Sequence, residues 1–385
     1  MFETVEQVGI GHPDKVADRI SDAILDELLK QDANSRVAVE TLIKDEKVVV
    51  AGEITSTATI DICKIVESVF VEAGYEMKPK VEINISKQSP DIACGVDTGG
   101  AGDQGIMVGY AINETDHYMP LAHEIATKIL IRANMLRMTG AFPYAKSDMK
   151  SQVTIDYENL RIDTIVVSIQ HEAEYNEKEF KEFIIKYIID PIIADYKLNK
   201  DYRCLINPTG AFVIGGSVGD TGLTGRKIIA DSYGSVCSHG GGAYSGKDPT
   251  KVDRSGAYIA RKIAKHIVAS GMAEMAEVKL AFAIGVVKPV SIDIECYDTE
   301  NIDIEIIKSV VRNEFDLTPA GIIKELELKK PIYRRLSSYG HFGVNAVDMP
   351  WEKLDKLGIF KQVLEFHNKQ EQIVEKCIRK YFGGI

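Results

Sequence analysis

No run of about 18 apolar residues occurs anywhere in this sequence, so no segment has the length and character of a membrane-spanning helix. The opening stretch, MFETVEQVGIGHPDK, has neither a basic nor an apolar region and does not read as a leader. A cationic excess is missing as well. Lys and Arg number 46 against 57 Asp and Glu, a formal net charge of −11, which argues against a nucleic-acid surface. The six cysteines, Cys63, Cys94, Cys204, Cys237, Cys296 and Cys377, include no C-x-x-C pair, which removes the usual redox and metal motifs and fits a reducing compartment. These absences predict an unanchored cytoplasmic protein with neither nucleic acid nor membrane as partner. Any anionic ligand must then be met by a local cluster of cations.

What is present is the composition of a globular protein, 45% hydrophobic and 27% charged, over 385 residues, enough for roughly two to three domains. Val16, Ile20, Ile24 and Leu28 recur at four-residue intervals and predict a helix from about Asp14 to Lys30. Two β-branched runs, RVAVETLI and KVVVAGEIT, flank the polar turn KDEK as a hairpin, and TIDICKIVESVFVEAG then reads as a helix stopped at Gly74. The same helix, hairpin, helix order returns twice, with hairpins starting near Arg36, Ser151 and Glu277, 115 and 126 residues apart. Strands joined by short turns predict antiparallel α+β domains, not a doubly wound parallel sheet. The expected limits are 1–100, 101–214 and 215–385.

The charges cluster where two of these helices begin. GHPDK, Gly11 to Lys15, precedes the first, and GKDPTKVDR, Gly246 to Arg254, precedes the third. A helix N-terminus already favours an anion, so Lys15, Lys247 and Lys251 suggest a highly charged one. Asp14, Asp248 and Asp253 would repel it unless a metal cation stood between, and a polyphosphate with Mg²⁺ satisfies both signs. Singly, the aspartates could be first-turn acids or caps, the lysines solvated surface charges and His12 a structural histidine. Gly241, Gly246 and Lys247 nearly spell a P-loop, but Asp248 stands where Ser or Thr should hold Mg²⁺ and no apolar strand precedes the loop.

Taken together, GHPDK, GAGDQG, GDTGLTGRK and HGGGAYSGKDPTKVDRSGAY, with NPTG, YGHFG and PWE, resemble the S-adenosylmethionine synthetase family over nearly the whole chain. The resemblance implies three similar domains of antiparallel sheet plus helices about a pseudo-threefold axis. It implies attack of methionine sulfur on C5′ of ATP, then cleavage of the released triphosphate to pyrophosphate and phosphate. His12, Lys150, Arg226 and Lys247 match the family's catalytic positions. Asp148, Phe212, Asp220, Lys227 and Ala243 join them around ATP, while Glu53, Gln88, Asp220 and Lys251 match the methionine side. Asp14 and Asp253 match Mg²⁺ positions, Glu6 a glutamate near Mg²⁺, and Glu40 the K⁺ site. The family's sites form between subunits, which implies a homodimer at least, with a homotetramer left open.

Two positions depart from the pattern: Ile10 replaces the usual Glu before GHPDK, and Ala211 the usual Arg after NPTG. The segment between Gln88 and Gly102, the family's gate, is shorter than in common bacterial members. Two other readings compete: a P-loop-like phosphotransferase using Lys247, and a nucleotide-binding relative without turnover.

Overall fold

The computed structural model describes residues 1–87 and 99–382. Gln88 and most of the gate segment lie outside the described residues. The chain opens with β1 (Phe2–Val8), then α1 (Pro13–Gln31), the hairpin β2 (Arg36–Lys44) and β3 (Lys47–Thr55), α2 (Ile62–Glu72) and β4 (Lys80–Ser86). Helix α1 starts at Pro13, whose missing N–H costs nothing in a first turn, and its apolar stripe is fully buried. Val37, Val39, Ile43, Val48 and Val50 of the hairpin close the core beneath it.

The second passage is β5 (Gly105–Ile112), α3 (Leu121–Met138), the hairpin β6 (Ala145–Asp156) and β7 (Arg161–His171), α4 (Glu177–Phe183), α5 (Asp190–Tyr196) and β8 (Arg203–Ile206). The run EKEFKEFIIKYII, Glu177 to Ile189, reads from its sequence as a single helix. Instead a π-helical stretch, Ile184–Ile189, joins α4 to α5, and the Asp190 N–H reaches back to Ile185. Pro191 follows at once; it has no N–H to give, and its ring crowds the preceding turn, which the wider π turn relieves. The third passage has β9 (Gly222–Leu223), α6 (Val252–Ala269), the hairpin β10 (Met275–Phe282) and β11 (Ser291–Glu295), α7 (Ile304–Glu314), α8 (Pro319–Glu325) and α9 (Leu357–Phe382).

Three sheets follow one plan, in the orders β4-β3-β2-β9, β8-β7-β6-β1 and β11-β10-β5. Each is built on a hairpin whose first strand takes an antiparallel partner from a distant part of the chain. Thus β1 joins the second sheet, β5 the third and β9 the first. The first two sheets also carry a parallel strand, β4 on β3 and β8 on β7, because a helix between them returns the chain in the same direction. The fold is α+β with antiparallel pairing dominant. Among the described residues no helix is long and apolar enough to cross a membrane.

The strand exchange is what builds the site. GIGHPDK is the crossing from β1, in the second sheet, to α1, which packs on the first. GDTGLTGRK contains β9 and carries the chain onto the edge of β2. The charged motifs are therefore held from two sheets at once.

Candidate active site

His12 caps α1: its Nδ1 accepts the Asp14 N–H at 3.2 Å. Nε2 then carries the proton. Burial, helped by Lys227, Lys150 and Lys15, pulls the imidazole pKa down to about 3, so it is a neutral donor at physiological pH. Asp14, 1% exposed, binds Lys227 Nζ at 2.5 Å through Oδ2 and accepts the Leu223 N–H through Oδ1. Asp148 is buried beside them. Its Oδ2 accepts the Gly216 N–H at 2.8 Å, while Oδ1 has no hydrogen-bond partner among the described residues. Burial pushes this carboxyl up to about 6 against the pull of Gly216 and Lys150, and the nearby Asp220 and Asp14 add to the rise. Lys150, Asp220 and the half-exposed Arg226 complete this first cluster, with Phe212 at the end of β7, bonded through its backbone to His171.

A second cluster lines a cleft of about 420 Å³ with Ala38, Glu53, Asp103, Lys247, Lys251 and Asp253. Lys247 Nζ lies 2.6 Å from Asp253 Oδ2, in the first turn of α6. Lys251 is held by Asp248, which is wholly buried, accepts the Val37 N–H at 2.7 Å and caps the turn at Thr250. Asp248 therefore serves as both cap and orienter. The loop lies flat on the first sheet: Gly246 has φ +80°, and a Cβ there would stand 2.0 Å from the Val39 carbonyl oxygen. No strand precedes this loop, so the P-loop resemblance ends with its spacing.

The two clusters are distinct within one chain. Lys247 bridges to Ala38 and Leu223 pairs with Leu42, four residues apart on β2, or roughly 13 Å at the usual strand rise. Among the described residues no ion pair or hydrogen bond joins Asp14 to Asp253, or Lys227 to Lys247. Ala243 lies against Gly225. Glu40 and Glu53 point from the exposed face of the first sheet, opposite Ala51 and Ala38. Glu6 is exposed on β1, opposite Gln152 and two residues along the strand from the Val8–Lys150 pairing.

Lys15 corrects an expectation. It is wholly buried and its charge is met inside the chain by Asp18 and Asp231; burial opposes that charge, but the two carboxylates keep its pKa above the ordinary value. Sequence reasoning also missed a row of acids on α1. Asp14, Asp18, Asp22 and Asp26 recur every four residues, and their carboxylates accept backbone N–H groups of Leu223, Gly225, Gly246 and Tyr333 in turn. The four-residue spacing was visible in the sequence; the buried partners were not.

Sequence profiles of S-adenosylmethionine synthetase match in three pieces: the N-terminal domain over residues 1–96, the central domain over 98–212 and the C-terminal domain over 214–353. The chain belongs to the S-adenosylmethionine synthetase family. It is 50% identical to the S-adenosylmethionine synthase of Mycoplasma capricolum over 374 residues, covering 93% of this chain and 96% of that protein. The enzyme of the same name from Mesoplasma florum is also 50% identical, over 93% and 99% of the two chains. That of Clostridium tetani is 48% identical over 94% and 99%.

The family's C-terminal motifs brace α6 from behind. Trp351 stacks on Tyr258 with ring centroids 3.9 Å apart, His341 Nδ1 meets the Tyr258 hydroxyl at 2.7 Å, and Glu352 pairs with Arg261 and Lys265. Ile10 is buried in the second sheet's core, so the apolar residue at this position packs without an unpaired charge. Ala211 is exposed.

Proposed function

We propose that the two clusters are the two halves of one active site, brought together by a second copy of the chain. The chain synthesises S-adenosylmethionine from ATP and L-methionine, and so is a methionine adenosyltransferase. One observation carries the site assignment: each cluster holds a carboxylate closed on a lysine, Asp14 on Lys227 and Asp253 on Lys247, beside a helix start. A metal-bound polyphosphate can replace both partners of each pair at once, cation to carboxylate and phosphate oxygen to ammonium.

A dependence on divalent metal belongs to the family, and we assign Mg²⁺ to Asp14 and Asp253. Among the described residues no three acidic, histidine or cysteine side chains converge to hold a metal alone. That suits Mg²⁺, which is usually held by one or two carboxylates plus substrate phosphates and water. Asp148 Oδ1, without a partner among the described residues, offers a further acceptor beside Asp14. Bound there, Mg²⁺ would neutralise triphosphate charge. K⁺ is assigned to Glu40.

In the proposed reaction a sulfur lone pair of methionine forms the bond to C5′ as the C5′–O bond breaks, and the electron pair leaves with the triphosphate. No proton is lost, so no general base is needed. The chain's task is to stabilise the leaving oxygens, and neutral His12, through Nε2–H, with Lys150, Arg226, Lys227 and Lys247 supplies the donors. Phe212, Asp220 and Ala243 frame the nucleoside. Glu53, Lys251 and Asp220 meet methionine, with Gln88 assigned there on the resemblance. Water then splits the triphosphate.

Self-association is supported by the face that carries Glu40 and Glu53. There Ala38, Leu42, Val49, Ala51 and Leu223 share a part-exposed apolar face on the side of the first sheet away from α1, the kind of surface that a second copy covers. A cytoplasmic location is part of the same proposal. Incubation with ATP, L-methionine, Mg²⁺ and K⁺ is expected to yield S-adenosylmethionine, pyrophosphate and phosphate. Formation of ADP instead would contradict it.

A further inference from the structure

Behind the second cluster stands an ion pair that the assignments above do not use. Asp22 of α1 and Arg254 of α6 are both wholly buried and bound in a two-pronged contact: Arg254 Nη1 donates to Asp22 Oδ1 and Nη2 to Oδ2, each at 2.7 Å. A pair that only tied two helices together would end there. This one continues to the loop backbone on both sides of Lys247. Asp22 Oδ1 accepts the Gly246 N–H at 2.9 Å, and Arg254 Nη1 donates to the Lys247 carbonyl at 3.0 Å. The guanidinium is itself locked. Nε donates to the Tyr258 hydroxyl at 3.0 Å, and the Tyr333 ring lies under it, 4.2 Å away at the centroid.

We infer that Asp22 and Arg254 are positioning residues for Lys247: their paired charges fix the peptide groups flanking it and so set where its ammonium meets the triphosphate. This rests on the reading of Lys247 as a triphosphate contact. A lysine side chain has four flexible torsions, so its reach is defined only as well as its backbone is held. The donors and acceptors used are charge-assisted and buried, which makes them short and directional. Lys251 hangs from Asp248, a separate anchor, so methionine binding provides an internal control.

The test is a double-mutant cycle on the full-length protein with Asp22→Asn and Lys247→Ala, reading kcat and the KM for methionine. Asparagine keeps an acceptor for the Gly246 N–H but loses the charge and one prong of the contact. The expected result is a fall in kcat of about tenfold or more in the parent background, with methionine KM changed less than about twofold. In the Lys247→Ala background the same substitution should cost less than about twofold, because the group it positions is gone. Equal losses in both backgrounds, or a parent-level kcat in Asp22→Asn, would overturn the inference. Arg254→Lys, which keeps the buried cation but loses the fork, runs the same cycle if Asp22→Asn does not fold. Near-normal turnover in Lys247→Ala alone is a different outcome: it removes the reading of Lys247 and this inference with it.

Discussion

The two clusters solve the same electrostatic problem in opposite ways. In the first, the groups at the start of α1 are buried: His12 and Asp14 are each 2% exposed or less, and the strands of two sheets hold them. In the second, Lys247 and Asp253 are 27% and 20% exposed, and rigidity comes from Asp22, Arg254 and Asp248 one layer behind. The first cluster sits at a crossing between sheets, where burial comes with the architecture. The second sits on a loop lying over one sheet, where position must be supplied by buried charges. Within one chain, each is an ion pair satisfied by itself; on the proposed reading, a metal-bound triphosphate needs both.

That contrast can be broken at several points. The largest effects are expected from Asp14→Asn and Lys247→Ala, which should each lower kcat by roughly two to three orders of magnitude, measured as S-adenosylmethionine formed per site. Their stability should differ, however. Lys247→Ala should leave the melting temperature nearly unchanged, since its partner Asp253 is part-exposed, whereas Asp14→Asn should lower it by weakening the buried contacts to Lys227 and Leu223.

Next in size is Gly246→Ala, which puts a side chain at positive φ and against the Val39 carbonyl; a loss of about 2–4 kcal/mol is expected in denaturant unfolding. Acid should act on the core more than on the loop. Burial pulls His123 down to about 4 from an ordinary 6.5, with Arg261 adding to the fall and Glu124 opposing it. The folded state thus resists a proton that the unfolded chain accepts. Stability from this residue is full above pH 6.5 and is lost as pH falls toward 4, by roughly 2 kcal/mol between pH 7 and 5. Unfolding curves at the two values should show that drop in the parent chain and a smaller one in His123→Gln. The smallest effect is expected for Asp248→Asn, a rise of about three- to tenfold in methionine KM from a less well held Lys251, with kcat little changed.

Much of this fold was legible because its patterns are local. Val16, Ile20, Ile24 and Leu28 declare α1, and the alternation in RVAVETLI declares β2. The exchange of β1, β5 and β9 was not legible: Phe2 pairs with Asp156 and Gly222 with Ile43, and nothing in a short strand names so distant a partner. The site shows the same division. The motifs pointed to Asp14, Lys247 and Asp253, which the fold holds in two separate ion pairs, but Lys15 was misread, since a lysine in a helix's first turn looks alike whether it meets a ligand or a buried aspartate. Asp18, Asp22 and Asp26 were passed over because acids on a helix are usually solvated, and only their partners across the core reveal otherwise.

The most direct test of the shared site is complementation between Asp14→Asn and Lys247→Ala. If each active site takes its first cluster from one copy and its second from the other, co-expressing the two inactive variants in equal amounts should restore about a quarter of parental activity, because half the dimers are mixed and each has one intact site. Purified mixed dimers that remain as inactive as either variant alone would contradict the account.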